Sequence, residues 1–166
     1  MTMANQSEYQ QGSFESRHRF ERQNVFSMLP AIYAASRAQG QQLLKAAGGL
    51  SIIEWRTLWD LMEVGSMSVR ELATLQSADH SLLSRALPEI RSRGLVTMTR
   101  SETDGRQMIV EITQKGRQAY LRAAPTMRKR REGLRACYTE QELEQFVEYL
   151  HRLEEFLKIP ADNLFE

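Results

Sequence analysis

The change of hydrophobic period at Gly94 constrains this chain more than any other feature. Before that glycine the apolar residues recur at three- and four-residue spacing, as one face of a helix requires. Beyond it, in VTMTRSETDGRQMIVEIT (Val96 to Thr113), they alternate. Leu95, Val96 and Met98 precede a polar loop and Met108, Val110 and Ile112 follow it, with Thr97 and Ile109 on the opposite face. The loop contains Asp104-Gly105, a dipeptide suited to the positive φ angles of a tight hairpin turn. The spacing predicts a β-hairpin set among helices, and so a mainly α fold with one small β element.

The helices carry their own boundaries. Residues 1–13 are polar and rich in Gln, Ser and Asn, which predicts a mobile tail. From about Phe14 to Ala47 a long amphipathic helix presents Phe26, Leu29, Ile32 and Tyr33, with a kink or break expected at Pro30 and a stop at AAGGL. Ser51 and Glu54 have capping-box spacing and open a helix with Ile52, Trp55, Trp59 and Met62 on one face. A second box, Ser68 and Glu71, opens a compact helix with Val69, Leu72 and Ala73 inward. Ser77 or Asp79 can cap a third, whose buried side is read as Leu82, Leu83, Ala86, Leu87 and Ile90 and whose outward side is His80, Ser81, Ser84 and Arg85. Pro88 lies midway along it and cannot bond the Ser84 carbonyl, so a bend is expected and base contacts are placed in the N-terminal half. After the hairpin, Thr113 can cap a basic helix whose continuity Pro125 and Gly133 leave open. Thr139 and Glu142 then open a last helix with Leu143, Phe146, Val147, Leu150, Leu153 and Leu157 as its apolar stripe.

Three short helices followed by a hairpin make a winged helix-turn-helix. The third helix is then a rigid rod of a width that fits the DNA major groove, with the hairpin beside it as a wing. The candidate DNA contacts are His80, Ser81, Ser84 and Arg85 on that helix and Arg100 and Arg106 on the wing. Asp104 is expected to orient an arginine by an ion pair, because a carboxylate would repel phosphate.

Charge supports an anionic partner only locally. The chain is nearly balanced, with 22 basic and 21 acidic residues, but Ser84 to Arg135 holds 13 Lys and Arg against five Asp and Glu. A single cysteine, Cys137, excludes an internal disulfide, and the scattered His18, His80 and His151 give no metal spacing. No cofactor is expected, and neither a phosphate-binding glycine loop nor a nucleophile–base motif suggests an enzyme. With no secretory signal and no apolar run long enough to span a bilayer, a soluble cytoplasmic protein without a membrane partner is expected.

These residues resemble the multiple antibiotic resistance regulator (MarR) family of bacterial transcription factors. The resemblance covers roughly Leu50 to Tyr120 through EWRTLWDL, SVRELA, HSLLSRALPEIRSRGLV, the DGR of the wing and the ITQKGR after it. It implies a homodimeric repressor on a palindromic double-stranded operator, with helices 14–49 and 114–166 forming the dimerisation region around a DNA-binding lobe at 50–113. The long end helices support this independently, since a partner chain is where Phe26, Leu29, Tyr33, Phe146, Leu150 and Leu153 could be covered. The resemblance also implies release by a small phenolic or aromatic-acid effector. Tyr33, Trp55, Arg56 and Trp59 are the candidate pocket, weighed against plain core packing. Cys137 is read as a buried inert thiol or a surface bystander, far from the N-terminal region where some relatives carry a redox-sensing cysteine. The rival reading is a winged-helix protein-interaction module without sequence-specific DNA readout.

Overall fold

The computed structural model describes residues 3–76, 80–101, 104–105 and 107–164, with side chains from residue 13 onward apart from that of His80. The elements run α1 (Met3–Gln23), α2 (Val25–Ala46), α3 (Ile52–Glu63), β1 (Met67–Ser68), α4 (Val69–Leu75), α5 (His80–Ser92), β2 (Val96–Arg100), β3 (Met108–Ile112), α6 (Gln114–Arg135) and α7 (Glu140–Lys158), then a 3-10 turn at Ala161–Asn163. They fall into two compact units, Met1–Ala123 and Ala124–Glu166.

Two boundaries differ from the sequence expectation. Helix begins at Met3, so most of the stretch read as a mobile tail is α1. Nothing in that stretch is proline, and Gln and Glu tolerate a helix well. The break in the long N-terminal segment falls at Asn24 and not at Pro30. Asn24 is extended, and its side chain accepts the Phe26 amide at 2.9 Å, which satisfies one of the unpartnered donors of a new helix. Pro30 is accommodated inside α2.

The three capping boxes form as read. Ser51, Ser68 and Thr139 each accept the amide three residues on, and Glu54, Glu71 and Glu142 each reach back to the cap amide. The backbone bond from Ser68, followed by that from its hydroxyl, holds the Glu71 carboxyl below its ordinary pKa, and Thr139 does the same for Glu142. Ser77 and Asp79, the proposed caps of α5, lie outside the described residues.

Strands β2 and β3 pair antiparallel in the register Val96↔Ile112, Met98↔Val110 and Arg100↔Met108, which puts Val96, Val110 and Ile112 on the buried face. The sheet has a third strand. Met67 and Ser68 pair with Val110 and Ile109, giving the order β1-β3-β2 and fastening the α3–α4 turn to the wing. The core between helices and sheet is Leu44, Leu50, Leu58, Leu61, Leu72, Leu83, Leu87, Ile90, Val96 and Val110, all essentially inaccessible.

Two glycines join α5 to the wing and α6. Gly94 has φ +70° and carries the chain out of α5, with the Leu95 amide returning to Ile90 O at 3.2 Å. Gly116 lies so close to the Leu95 carbonyl and the Ile112 side chain that an added Cβ would collide with both. Between them the Thr113 hydroxyl donates to Gly94 O at 2.7 Å and accepts the Gly116 amide at 3.0 Å. The Thr113–Gly116 spacing therefore seats α6 against the base of the wing.

In the second unit α6 continues across Pro125 and Gly133, where the sequence leaves its continuity open, to Arg135. The Tyr138 and Phe146 rings stack at 6.0 Å. No residue of α7 is buried, and Phe146, Val147, Leu150 and Leu157 are all exposed.

Candidate nucleic-acid interface

The candidate interface is built on α5. Leu83, Leu87 and Ile90 recur at four- and three-residue spacing and are buried, which fixes the helix rotationally in the lobe. That rotation exposes Ser81 and Arg85 and leaves Ser84 half-buried. The Arg85 Nε donates to Ser81 O at 3.1 Å, so the side chain lies back along its own helix towards the N-terminal end. His80 is the first residue of α5; its side chain is outside the description. α5 runs unbroken past Pro88 to Ser92, with Leu87 and Ile90 buried on either side of the proline.

Leu82 departs from its expected place. It was read into the core stripe, yet it is 52% exposed. Successive residues turn by about 100° around a helix, so a stripe centred between Leu83, Leu87 and Ile90 leaves Leu82 on the flank beside Arg85.

The wing is closed by its own polar residues. The Ser101 amide donates to Gln107 O at 2.9 Å, the Gln107 amide to Asp104 O at 2.8 Å, and the Asp104 amide to Ser101 Oγ at 3.2 Å. The Asp104 carboxylate accepts Gln107 Nε2 at 2.9 Å, so it helps to lock the turn. Arg106, a candidate wing contact two residues beyond Asp104 in sequence, lies outside the described residues. Arg100 is exposed at the end of β2.

One anchoring pair had no signal in the local pattern. Glu54 is buried, and Arg93, just after α5, places Nη1 at 2.6 and 2.7 Å from its two carboxylate oxygens. The same guanidinium donates through Nη2 to Gly49 O at 3.2 Å. Gln41 on α2 donates to Leu50 O at 3.2 Å and accepts the Ile52 amide at 3.3 Å. The end of α5 and the start of α3 are thus tied to the turn that follows α2. Arg93 in the sequence is indistinguishable from a solvated cation, because its partner is 39 residues away.

The four candidate effector residues are placed differently from one another. Trp55 is buried with its ring stacked on Tyr120 at 5.1 Å, and Trp59 lies tilted at 6.2 Å from it. Arg56 does not face that aromatic cluster. Its Nη2 donates to Gln76 O at 2.8 Å at the end of α4, while Gln76 Nε2 donates to Asp60 Oδ2 at 2.8 Å. Burial raises the Asp60 pKa, opposed by the Gln76 bond and by the Arg56 charge. Tyr33 is exposed on α2, its hydroxyl accepting Arg37 Nη1 at 3.3 Å. Among the described residues no cluster of His, Cys, Asp and Glu could hold a metal ion, and no helix is long and apolar enough to cross a membrane.

Comparison with known proteins agrees with this geometry. Residues 41–121 match the family of transcriptional regulators SarA/Rot. Over 93 residues the chain is 32% identical to the HTH-type transcriptional repressor IacR of Pseudomonas putida, covering 56% of this chain and 55% of that protein, so the match spans little more than half the relative's length. The fold is similar to the transcriptional regulator BldR from Sulfolobus solfataricus, with a TM-score of 0.67, 26% identity and coverage of 81% of this chain and 95% of that one. It is also similar to Sco3205, a MarR-family transcriptional regulator from Streptomyces coelicolor in complex with DNA, with a TM-score of 0.72, 20% identity and coverage of 85% and 91%. The chain therefore has the fold of these transcriptional regulators, and its residues 41–121 match the SarA/Rot family in sequence.

Proposed function

We propose that the protein is a homodimeric repressor that binds a palindromic DNA operator, with α5 in the major groove and the β2–β3 wing against the adjacent backbone. The observation that carries this reading is the rotation of α5: three buried apolar residues hold the helix so that Ser81 and Arg85 point out of the lobe. Exposed Phe26, Ile32 and Tyr33 on α2 and exposed Phe146 and Leu150 on α7 support a second copy as the cover for the arms. The two half-sites then lie about 34–36 Å apart, one helical turn of DNA.

Ser81, Ser84, Arg85 and His80 are assigned to the groove, and Arg100 and Arg106 to the wing contacts. The test is binding of purified protein to duplexes from upstream of its own coding region, titrated with salt against random competitor DNA. Competitor-resistant binding to a palindrome supports the reading; binding that vanishes equally on all sequences as salt rises overturns it in favour of a protein-interaction module. Arg106→Ala is expected to weaken binding to all sequences and to reduce the salt slope by about one per lobe, whereas Arg85→Ala should relax sequence preference. An effector acts by favouring a lobe arrangement that no longer matches the half-site spacing. A planar aromatic acid stacking on Trp55 would first have to displace Tyr120, so its binding should be read as a change in tryptophan fluorescence.

A further inference from the structure

We infer that Leu82 is a specificity residue that reads a thymine methyl group, working beside Arg85 on the groove face of α5. This deepens the DNA-binding proposal and rests on it. Leu82 is 52% exposed, although the helix that carries it already has a complete buried stripe in Leu83, Leu87 and Ile90. Its neighbours on the exposed side are polar: Ser81 one residue before and Arg85 one turn after. An isolated exposed leucine needs no explanation on an ordinary surface. Here it stands on the first turn of the one helix shaped to enter the groove, where each base pair shows a distinct edge and only thymine shows a methyl group.

The geometry also specifies what Leu82 reads alongside. The Arg85 Nε is occupied by Ser81 O at 3.1 Å, leaving the terminal amino groups for a bidentate contact of the kind guanine O6 and N7 accept. Residues three apart lie on neighbouring parts of one helix face, separated by about 4.5 Å along the axis. That is close to one base-pair step of ~3.4 Å. Leu82 and Arg85 therefore address adjacent base pairs, and each half-site should contain a thymine next to the guanine that Arg85 reads.

The test uses the full-length protein and a duplex recovered by selection from a random-sequence library. Each thymine is replaced in turn by deoxyuracil, which removes the methyl group and keeps the pairing edge. Burying one methyl is worth ~0.8 kcal/mol, so deoxyuracil at the read position should weaken wild-type binding about fourfold for one half-site and about fifteenfold for both. Leu82→Ala should bind the thymine duplex correspondingly less tightly and lose its response to deoxyuracil at that position alone, while Leu82→Met should keep part of it. The inference is overturned if no thymine position responds in the wild type, or if the response persists unchanged in Leu82→Ala. Failure to recover any preferred duplex overturns the DNA-binding proposal itself, and the inference with it.

Discussion

The winged lobe and the end helices are written in the same amphipathic code and reach opposite ends. In the lobe, apolar stripes of α3, α4 and α5 meet one another and the sheet, and leucines 58, 61, 72, 83 and 87 are essentially inaccessible. On α2 and α7 stripes just as regular leave Phe26, Ile32, Tyr33, Phe146 and Leu150 between 43% and 66% exposed. A helix of ~20 residues that buries no stripe is poorly stabilised in water, because tertiary packing and not propensity supplies most helical stability. The lesson is that periodicity specifies a face to be covered, but not whether the cover comes from the same chain.

That contrast can be broken most directly in the lobe. Leu87→Ala should destabilise it by about 3 kcal/mol, seen as a lower denaturation midpoint, because the cavity is enclosed on all sides. A loss below about 1 kcal/mol would mean that the core can collapse around α5. Arg93→Ala comes next, at about 2 kcal/mol, since it leaves the buried Glu54 carboxylate without its strongest partner. The loss is smaller than for a fully buried pair because the Arg93 side chain is 42% exposed. Thermal unfolding of the double variant Glu54→Gln, Arg93→Gln should recover part of that loss.

The arms should answer differently. Phe146→Ser combined with Leu150→Ser should change lobe stability by less than about 0.5 kcal/mol, as expected for exposed positions. On the proposed dimer, sedimentation should nevertheless show that the doubly changed protein is monomeric at concentrations where the unchanged protein sediments as a dimer. A dimer that survives the pair of changes would place the interface elsewhere. The smallest effect is acid sensitivity at the caps. The Glu71 and Glu142 carboxyls are held below their ordinary pKa, so their contribution is complete above the unfolded value near 4.5 and is lost as pH falls through the lower folded value. Helicity followed by circular dichroism should fall over that range, and Glu142→Gln should flatten the part that belongs to α7.

Legibility followed distance along the chain. The capping boxes, the stop at Gly94 and the Thr113 cap on the Gly116 amide are made within about five residues, and each was readable because its partners are neighbours; the wing was readable from its alternation, although Gly105 does not adopt the positive φ expected of the Asp-Gly turn. The outward placement of Ser81 and Arg85 was readable too, since it follows from the 3.6-residue period. The start of α1 was misplaced because polar composition was read as disorder, although glutamine and glutamate sustain a helix. Arg56 was set against an aromatic wall because it adjoins Trp55 in sequence. Adjacent helical residues point about 100° apart, and its actual partner is Gln76, 20 residues on.

Beyond the polar start of α1 and the break at Asn24, the sequence by itself determined which segments are helix, where most of them start and stop, and that one hairpin stands among them, because these are largely local choices of backbone dihedral and cap. Tertiary structure alone decided that Met67 and Ser68 join the hairpin as a third strand, that Arg93 closes on Glu54, and that Leu82 turns outward. A two-residue strand has no period to detect, and an ion pair spanning 39 residues leaves no mark in either local pattern. An apolar residue on the edge of a stripe is buried or exposed according to the neighbours that the assembled fold supplies, and in α5 those neighbours cover Leu83, Leu87 and Ile90 but stop short of Leu82.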